Sequence, residues 1–270
     1  EVYGIVEESS AANTTYLNIT GGEIYAEAPA YAYGICAFGK LNISGGTINT
    51  HINTNMVNAY YAADNANNAN NGYGYGIFVQ TKAYATPSTC YAGTLTMTGG
   101  TVNVVSDRTK AAELPNYGIY INTKVASVGV DKTATDGTKS EKASAAASIE
   151  NATINVTSGT NNSYGVMARG SYNSYDKTYR KTTIRNSIIN VKANTNAYGV
   201  YADAVINSST YAYGAHAGKI ELTGNNNITA TTTGKNAYGV YVHAASNATA
   251  VDVVAAEVEI TSGTYKAIAA

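Results

Sequence analysis

"NAYGVYADA" occupies residues 196–204, and "NAYGVYVHA" occupies residues 236–244. The core of this phrase recurs as YGIV at Tyr3, YGIC at Tyr33, YGIF at Tyr75, YGIY at Tyr117 and YGVM at Tyr164. Self-similarity over tens of residues marks a repeat architecture, in which each unit buries its apolar face only against its neighbours. The Tyr-Gly pairs are 30, 42, 42, 47, 34 and 40 residues apart, which is too irregular for a helical repeat of fixed length.

Each interval holds a second phrase. It reads "LNITGGEI" from Leu17, "LNISGGTI" from Leu41, "LTMTGGTV" from Leu95, "IENATI" from Ile149, "IRNSII" from Ile184, "IELTGNNNI" from Ile220 and "VEITSGTY" from Val258. Apolar and polar residues alternate here, the period of a half-buried strand. Gly-Gly, Gly-Asn or Ser-Gly between two short runs marks a tight corner. The shortest coil is 24 residues, and most extra length falls between a Tyr-Gly pair and the phrase that follows it. Three short strands and three turns fill such a coil. The expectation is therefore an all-β, single-stranded, right-handed parallel β-helix of about seven three-stranded coils. It forms one domain over residues 1–270, with coils starting near 3, 33, 75, 117, 164, 198 and 238 and insertions mostly at one corner.

Alternation assigns faces. The residue two after each Tyr is Ile5, Ile35, Ile77, Ile119, Val166, Val200 or Val240, and points inwards. Leu17 and Ile19, with their counterparts in later coils, line a second wall. Ile24, Ile48, Val102, Ile154, Ile189 and Ile228 line a third. The same alternation turns the constant Gly outwards, beside a stripe of Phe78, Tyr120, Met167, Tyr201 and Tyr241. "NAYYAADNANNANNGYGYGIF" from Asn58 and "NAYGVYADAVINSSTYAYGAHAG" from Asn196 share a Tyr-to-Tyr spacing of 15 and read as hairpin-like excursions.

Composition narrows the function. A net charge of −1 with 13% charged residues gives no field to draw in nucleic acid. No apolar run reaches the roughly 20 residues needed to span a membrane as a helix. No charged-then-apolar leader opens the sequence, so any signal peptide lies outside it. Cys36 and Cys90 are a candidate disulfide, bridged by an insertion that folds back one coil.

At "GGTINT" (residues 45–50), "GGTVNV" (residues 99–104) and the YGVYA phrases, the chain resembles autotransporter-type and haemagglutinin-type passenger domains of bacterial surface proteins. The resemblance covers essentially the whole chain. It implies a parallel β-helix displayed outside the cell as an adhesin, fibre or carrier, and hence a secreted or cell-surface location. The C-terminal membrane barrel of those families is not among these residues.

Polysaccharide-active enzymes also use this fold, and their chemistry needs paired carboxylates, often with a basic group or calcium. Asp64, Asp107, Asp131, Asp136, Asp176, Asp203 and Asp252 do not recur at matching positions of adjacent coils. Asp131 and Asp136, with Lys132 and Lys139, form one cluster, which reads as a solvated loop. His51, His216 and His243 lie in different coils without metal-ligand spacing. The expectation is no catalytic residue, no metal and no cofactor. Outward residues of the second strand mix Lys, Glu, Asn and Thr as in an ordinary solvated sheet, with Lys219 over Glu257 as a cross-rung pair. Tyr-rich insertions make glycans a candidate partner, since aromatic faces stack on sugars.

The two ends of the sequence are themselves coil fragments, "EVYGIV" and "VEITSGTYKAIAA". Joined, they read "GTYKAIAAEVYGIV", similar to the internal "INVKANTNAYGVY". Tyr265 would then precede the next Tyr3 by eight residues, as Val156 precedes Tyr164. This predicts head-to-tail stacking of copies through Tyr3, Ile5, Val258, Ile260, Tyr265 and Ile268. An extracellular filament subunit is the leading expectation, an adhesin segment the second and a polysaccharide-active enzyme the third.

Overall fold

The computed structural model describes residues 1–8, 15–53, 73–82, 91–107, 115–124, 145–159, 162–171, 181–206, 219–246 and 256–269. Its strands build three walls, each a parallel ladder that follows coil order. The first wall comprises Val2–Glu7, Ala32–Ala37, Gly74–Lys82, Asn116–Lys124, Ser163–Ser171, Asn196–Ile206 and Asn236–Ser246. The second comprises Tyr16–Ile19, Lys40–Ile43, Thr94–Met97, Ala146–Glu150, Thr182–Arg185, Lys219–Thr223 and Glu257–Ile260. The third comprises Glu23–Ala28, Thr47–Ile52, Thr101–Ser106, Thr153–Ser158, Ile188–Ala193, Asn227–Thr232 and Thr264–Ala269. The arrangement fits a right-handed parallel β-helix with three strands per coil, the hand that twisted strands impose on parallel crossovers.

Register is set by the buried residues. Ile5, Ile35, Ile77, Ile119, Val166, Val200 and Val240 stand in one column. Within the five internal coils the inward Ile, Leu, Val and Met side chains are at most 2% exposed. Each such burial contributes about 1.5–3 kcal/mol. A one-residue slip would turn every one of these side chains to solvent, so the ladders hold their alignment through all seven coils.

The second-to-third corner is short in every coil and carries one residue of positive φ. Gly22, Gly46, Gly100, Gly224 and Gly263 fill that position in five coils, and Asn151 (φ 52°) and Asn186 (φ 48°) in the other two. Asn is among the few side chains that tolerate this conformation, so the same bend survives where the glycine is lost. Connections from first to second wall run from Ala37–Lys40 in the second coil to Lys124–Ala146 in the fourth, and those from third to first wall span a similar range, from Ala193–Asn196 to Ile52–Gly74. One such connection begins as a hairpin, with Tyr91–Ala92 antiparallel to the end of Gly74–Lys82. The two parallel excursions read from the sequence fall on residues 58–72 and 207–218, outside the described residues.

The constant glycine does not face outwards. Gly34, Gly76, Gly118, Gly165 and Gly199 are buried. A Cβ on Gly34 would lie 2.5 Å from the Ile48 methyl and 2.5 Å from the Gly76 carbonyl oxygen. The strand bends at this residue, so the glycine and the aliphatic residue after it both point inwards, towards different walls. The two-residue period slips by one there, and the preceding tyrosine is turned outwards instead.

Polar side chains form their own ladders outside. Asn103 donates to Asn49 (2.9 Å), Asn155 to Asn103 (2.9 Å) and Asn190 to Asn155 (3.0 Å), an amide row along the third wall. Lys219 Nζ lies 2.9 Å from Glu257 Oε2, at the pair read from the sequence.

Candidate functional site

The outer face of the first wall carries two apolar columns that form a cluster separate from the core. Tyr3, Tyr33, Tyr75, Tyr117, Tyr164, Tyr198 and Tyr238 stack ring on ring. Successive centroids lie 4.6, 4.8, 5.0, 5.0, 4.7 and 5.2 Å apart, with interplanar angles of 5–16°. The spacing is that of the parallel ladder itself, which holds the rings in register. Three residues further along each strand stand Val6, Cys36, Phe78, Tyr120, Met167, Tyr201 and Tyr241. Tyr120, Met167 and Tyr201 are buried against the first column, and Phe78 and Tyr241 are partly buried there. Every interior ring thus has a tyrosine on either face. It presents its edge outwards rather than a flat surface on which a sugar can stack.

Burial shifts the phenols together. Desolvation pushes Tyr75, Tyr117 and Tyr164 well above the ordinary tyrosine range, with neighbouring phenols adding to the effect. Tyr3 is pushed up to about 12, first by desolvation and then by its hydrogen bond to Glu1. That bond runs from the Tyr3 hydroxyl to Glu1 Oε2 at 2.8 Å.

Beyond the second column lies a charged row. Arg169 Nε sits 3.0 Å from Asp203 Oδ2, and His243 Nδ1 sits 2.8 Å from Asp203 Oδ1. The Asp203 side chain is 4% exposed, whereas Arg169 and His243 are 40% and 41% exposed. A buried carboxylate is tolerable because both oxygens are held by donors from the rungs above and below. A second group joins three third-wall segments. His51 Nδ1 lies 3.1 Å from Glu27 Oε1, and its Nε2 lies 2.6 Å from Asp107 Oδ2. Asn53 also donates to Glu27 at 2.7 Å, and this bond is the main reason the Glu27 carboxyl is held below its usual range.

His51 and His243 each meet a carboxylate from another coil. The signal for the second pair lies in the two opening phrases, whose alignment sets Asp203 opposite His243. Among the described residues no group of three or more His, Cys, Asp or Glu side chains is arranged to hold a metal ion. His216 and the Asp131, Lys132, Asp136 and Lys139 cluster lie outside the described residues. So does Cys90, while Cys36 is buried between Val6 and Phe78 in the second column.

The end coils differ from the internal ones. Tyr3 and Ile260 are 41% and 49% exposed, and Ile5, Val258 and Tyr265 are partly buried at the margin of the core. Ile268 does not point along the inner wall. It pairs with Thr231 on the outer face, and Tyr265 and Ala267 take the inward positions opposite Ile228 and Ala230. This register also corrects the junction spacing. Tyr265 corresponds to Ile154 rather than Val156, and Ile154 precedes Tyr164 by ten residues, not eight.

These features define a three-walled parallel β-helix repeat protein with an aromatic outer face. No family model, no curated protein and no solved structure matches the chain.

Proposed function

We propose that this chain is a non-enzymatic structural subunit of an extracellular fibre, in which copies stack head to tail along the helix axis. One observation carries the reading. Among the described residues, the partly buried apolar side chains at the margin of the core all lie in the first or the seventh coil: Ile5, Leu17, Ile19 and Ile24 at one end, Ala237, Val240, Val258 and Tyr265 at the other. Their internal counterparts are sealed by a coil on either side. Continued at the same register, the seventh coil of one copy would set Tyr238 against Tyr3, Val240 against Ile5, Val258 against Leu17 and Tyr265 against Ile24. Lys266 would fall over Tyr25, between Glu23 and Glu27 on the outer face.

Covering these side chains should contribute several kcal/mol, and ladder hydrogen bonds would make the contact directional. The contact is heterologous and does not close, which is the condition for a filament. The resemblance to surface-displayed passenger domains supports the extracellular placement. The non-enzymatic part rests on the carboxylates nearest the histidines, which are engaged across rungs. A sugar-binding adhesin is the second reading, and the Tyr-rich insertions it would use lie largely outside the described residues.

Electron microscopy and light scattering of the purified chain test the reading. Seven rungs predict an axial repeat of roughly 34 Å per subunit. Ile5→Asp and Ile260→Asp should each shorten or abolish the fibres while circular dichroism keeps its β signature. A chain that stays monomeric at high concentration would overturn the proposal, and the end coils would then be covered by other segments.

A further inference from the structure

The tyrosine column continues through all seven coils, yet its interior rings hold no ligand-sized surface and contribute nothing to the end contacts. Their regular separation has a chemical meaning of its own. A phenol that loses one electron becomes a strong oxidant towards an identical phenol beside it. Transfer between near-parallel rings 4.6–5.2 Å apart needs no bridging atoms. The electron vacancy can therefore move along the column until a ring loses its proton and traps it.

The rings differ in where that proton can go. The Tyr3 hydroxyl donates a hydrogen bond to Glu1 Oε2 at 2.8 Å, and Tyr3 is the one exposed member of the column. Tyr75 and Tyr117 are buried, so water has little access to take a proton from their hydroxyls. Tyr25 supplies an internal comparison, since it too is exposed and bonded to a carboxylate, that of Glu27, but it stands outside the column.

We infer that the stacked tyrosines form a path for oxidising equivalents, and that Tyr3 is the site where these are retained and become available for covalent coupling. The external reagent is a one-electron oxidant of the peroxidase or photosensitiser class. It removes one electron from Tyr3 or from a half-buried ring such as Tyr198 or Tyr238, and in the second case electrons shift along the column until Tyr3 is the oxidised ring. The Tyr3 hydroxyl proton passes to Glu1, which leaves a neutral phenoxyl radical and a protonated carboxyl. Two such radicals on two molecules join through a carbon–carbon bond ortho to the oxygens, and the two displaced ring hydrogens return to those oxygens. The sum is two tyrosines converted to one dityrosine, two electrons taken up by two equivalents of oxidant, and two protons released.

The test uses a photogenerated ruthenium(III) polypyridyl oxidant with persulfate, and maps oxidised and coupled tyrosines by mass spectrometry. Modification is expected to concentrate at Tyr3 and to exceed that at Tyr25. Tyr33→Phe keeps the ring and its stacking but removes the easily oxidised phenol next to Tyr3. Modification at Tyr3 should fall severalfold in that variant, with Tyr25 unchanged. Glu1→Gln removes the proton acceptor and should spread the modification to other rings of the column. Circular dichroism matched to the parent chain establishes that both variants are folded. An unchanged yield at Tyr3 in the Tyr33→Phe chain would overturn conduction along the column. An unchanged distribution in the Glu1→Gln chain would overturn retention at Tyr3. The head-to-tail contact proposed above would set Tyr238 of a second copy against Tyr3. The measurement is therefore made on the unassembled chain, at dilutions where light scattering shows monomers, and the yield at Tyr3 is read separately from its coupling.

Discussion

At Gly118 a missing side chain sets the shape of a coil. A Cβ there would meet the Ile154 methyl and lie 2.5 Å from the Gly165 carbonyl oxygen. Gly118→Ala should therefore cost about 1–3 kcal/mol, the usual range for overpacking a filled core, and a lowered thermal midpoint would register it. Asp203 sits at the opposite extreme, a polar group that is needed. Asp203→Asn keeps the shape but withdraws the charge from Arg169 and His243, and should cost about 1–3 kcal/mol. The loss should fall short of that for a wholly buried pair because Arg169 and His243 are both about 40% exposed. Chemical denaturation measures this change. The two residues also show what a sequence can and cannot reveal. The opposition of Asp203 and His243 was written in two phrases of equal length, and Arg169 holds the matching place after "YGVM". The inward turn of the glycine was not legible. It depends on the angle at which two walls meet, and strict alternation cannot express a strand that bends between two inward residues.

At the scale of the strand and its corners, the three walls were legible because the apolar residues alternate and the corner phrase recurs. Seven coils and the inward columns follow from those two patterns. What did not follow was the outward partnership of the tyrosines, since a Tyr beside a Gly reads equally well as core or surface. The corners carry a sharper expectation. Asn151 holds a positive φ of 52° where five other coils use glycine. Asn151→Ala should cost about 1 kcal/mol, because a Cβ without a compensating polar group is disfavoured in that region. Asn151→Gly should be close to neutral, since relief of the steric conflict offsets the greater freedom of the unfolded chain. Comparing the unfolding midpoints of the two variants separates backbone conformation from lost side-chain contacts.

For the whole molecule, the shared shift of the phenols ties stability to alkaline pH. An unfolded tyrosine titrates near 10. Tyr3, Tyr33, Tyr75, Tyr117, Tyr164 and Tyr198 titrate higher in the folded state because burial desolvates them, Tyr3 at about 12 and buried Tyr75 and Tyr117 higher still. A raised pKa means that the folded form retains protons the unfolded form would release. The contribution is therefore complete below pH 10 and lost as pH climbs through the folded values. Phenolate absorbance and circular dichroism should change together in one steep transition above pH 10, whereas independent exposed phenols would titrate before any unfolding. Less of the assembly than of the fold was legible, because end contacts depend on what covers the outer coils and not on any repeated phrase. The contrast between the corners has a different consequence, for descent rather than stability. The second-to-third corner is two or three residues in every coil, and the first-to-second connection ranges from a few residues to more than twenty. Lengthening that connection leaves the rise of the ladder untouched, whereas duplicating or deleting a whole coil changes it by one step. A lineage of such proteins can thus vary what the rod displays and how long it is through separate kinds of mutation, neither constraining the other.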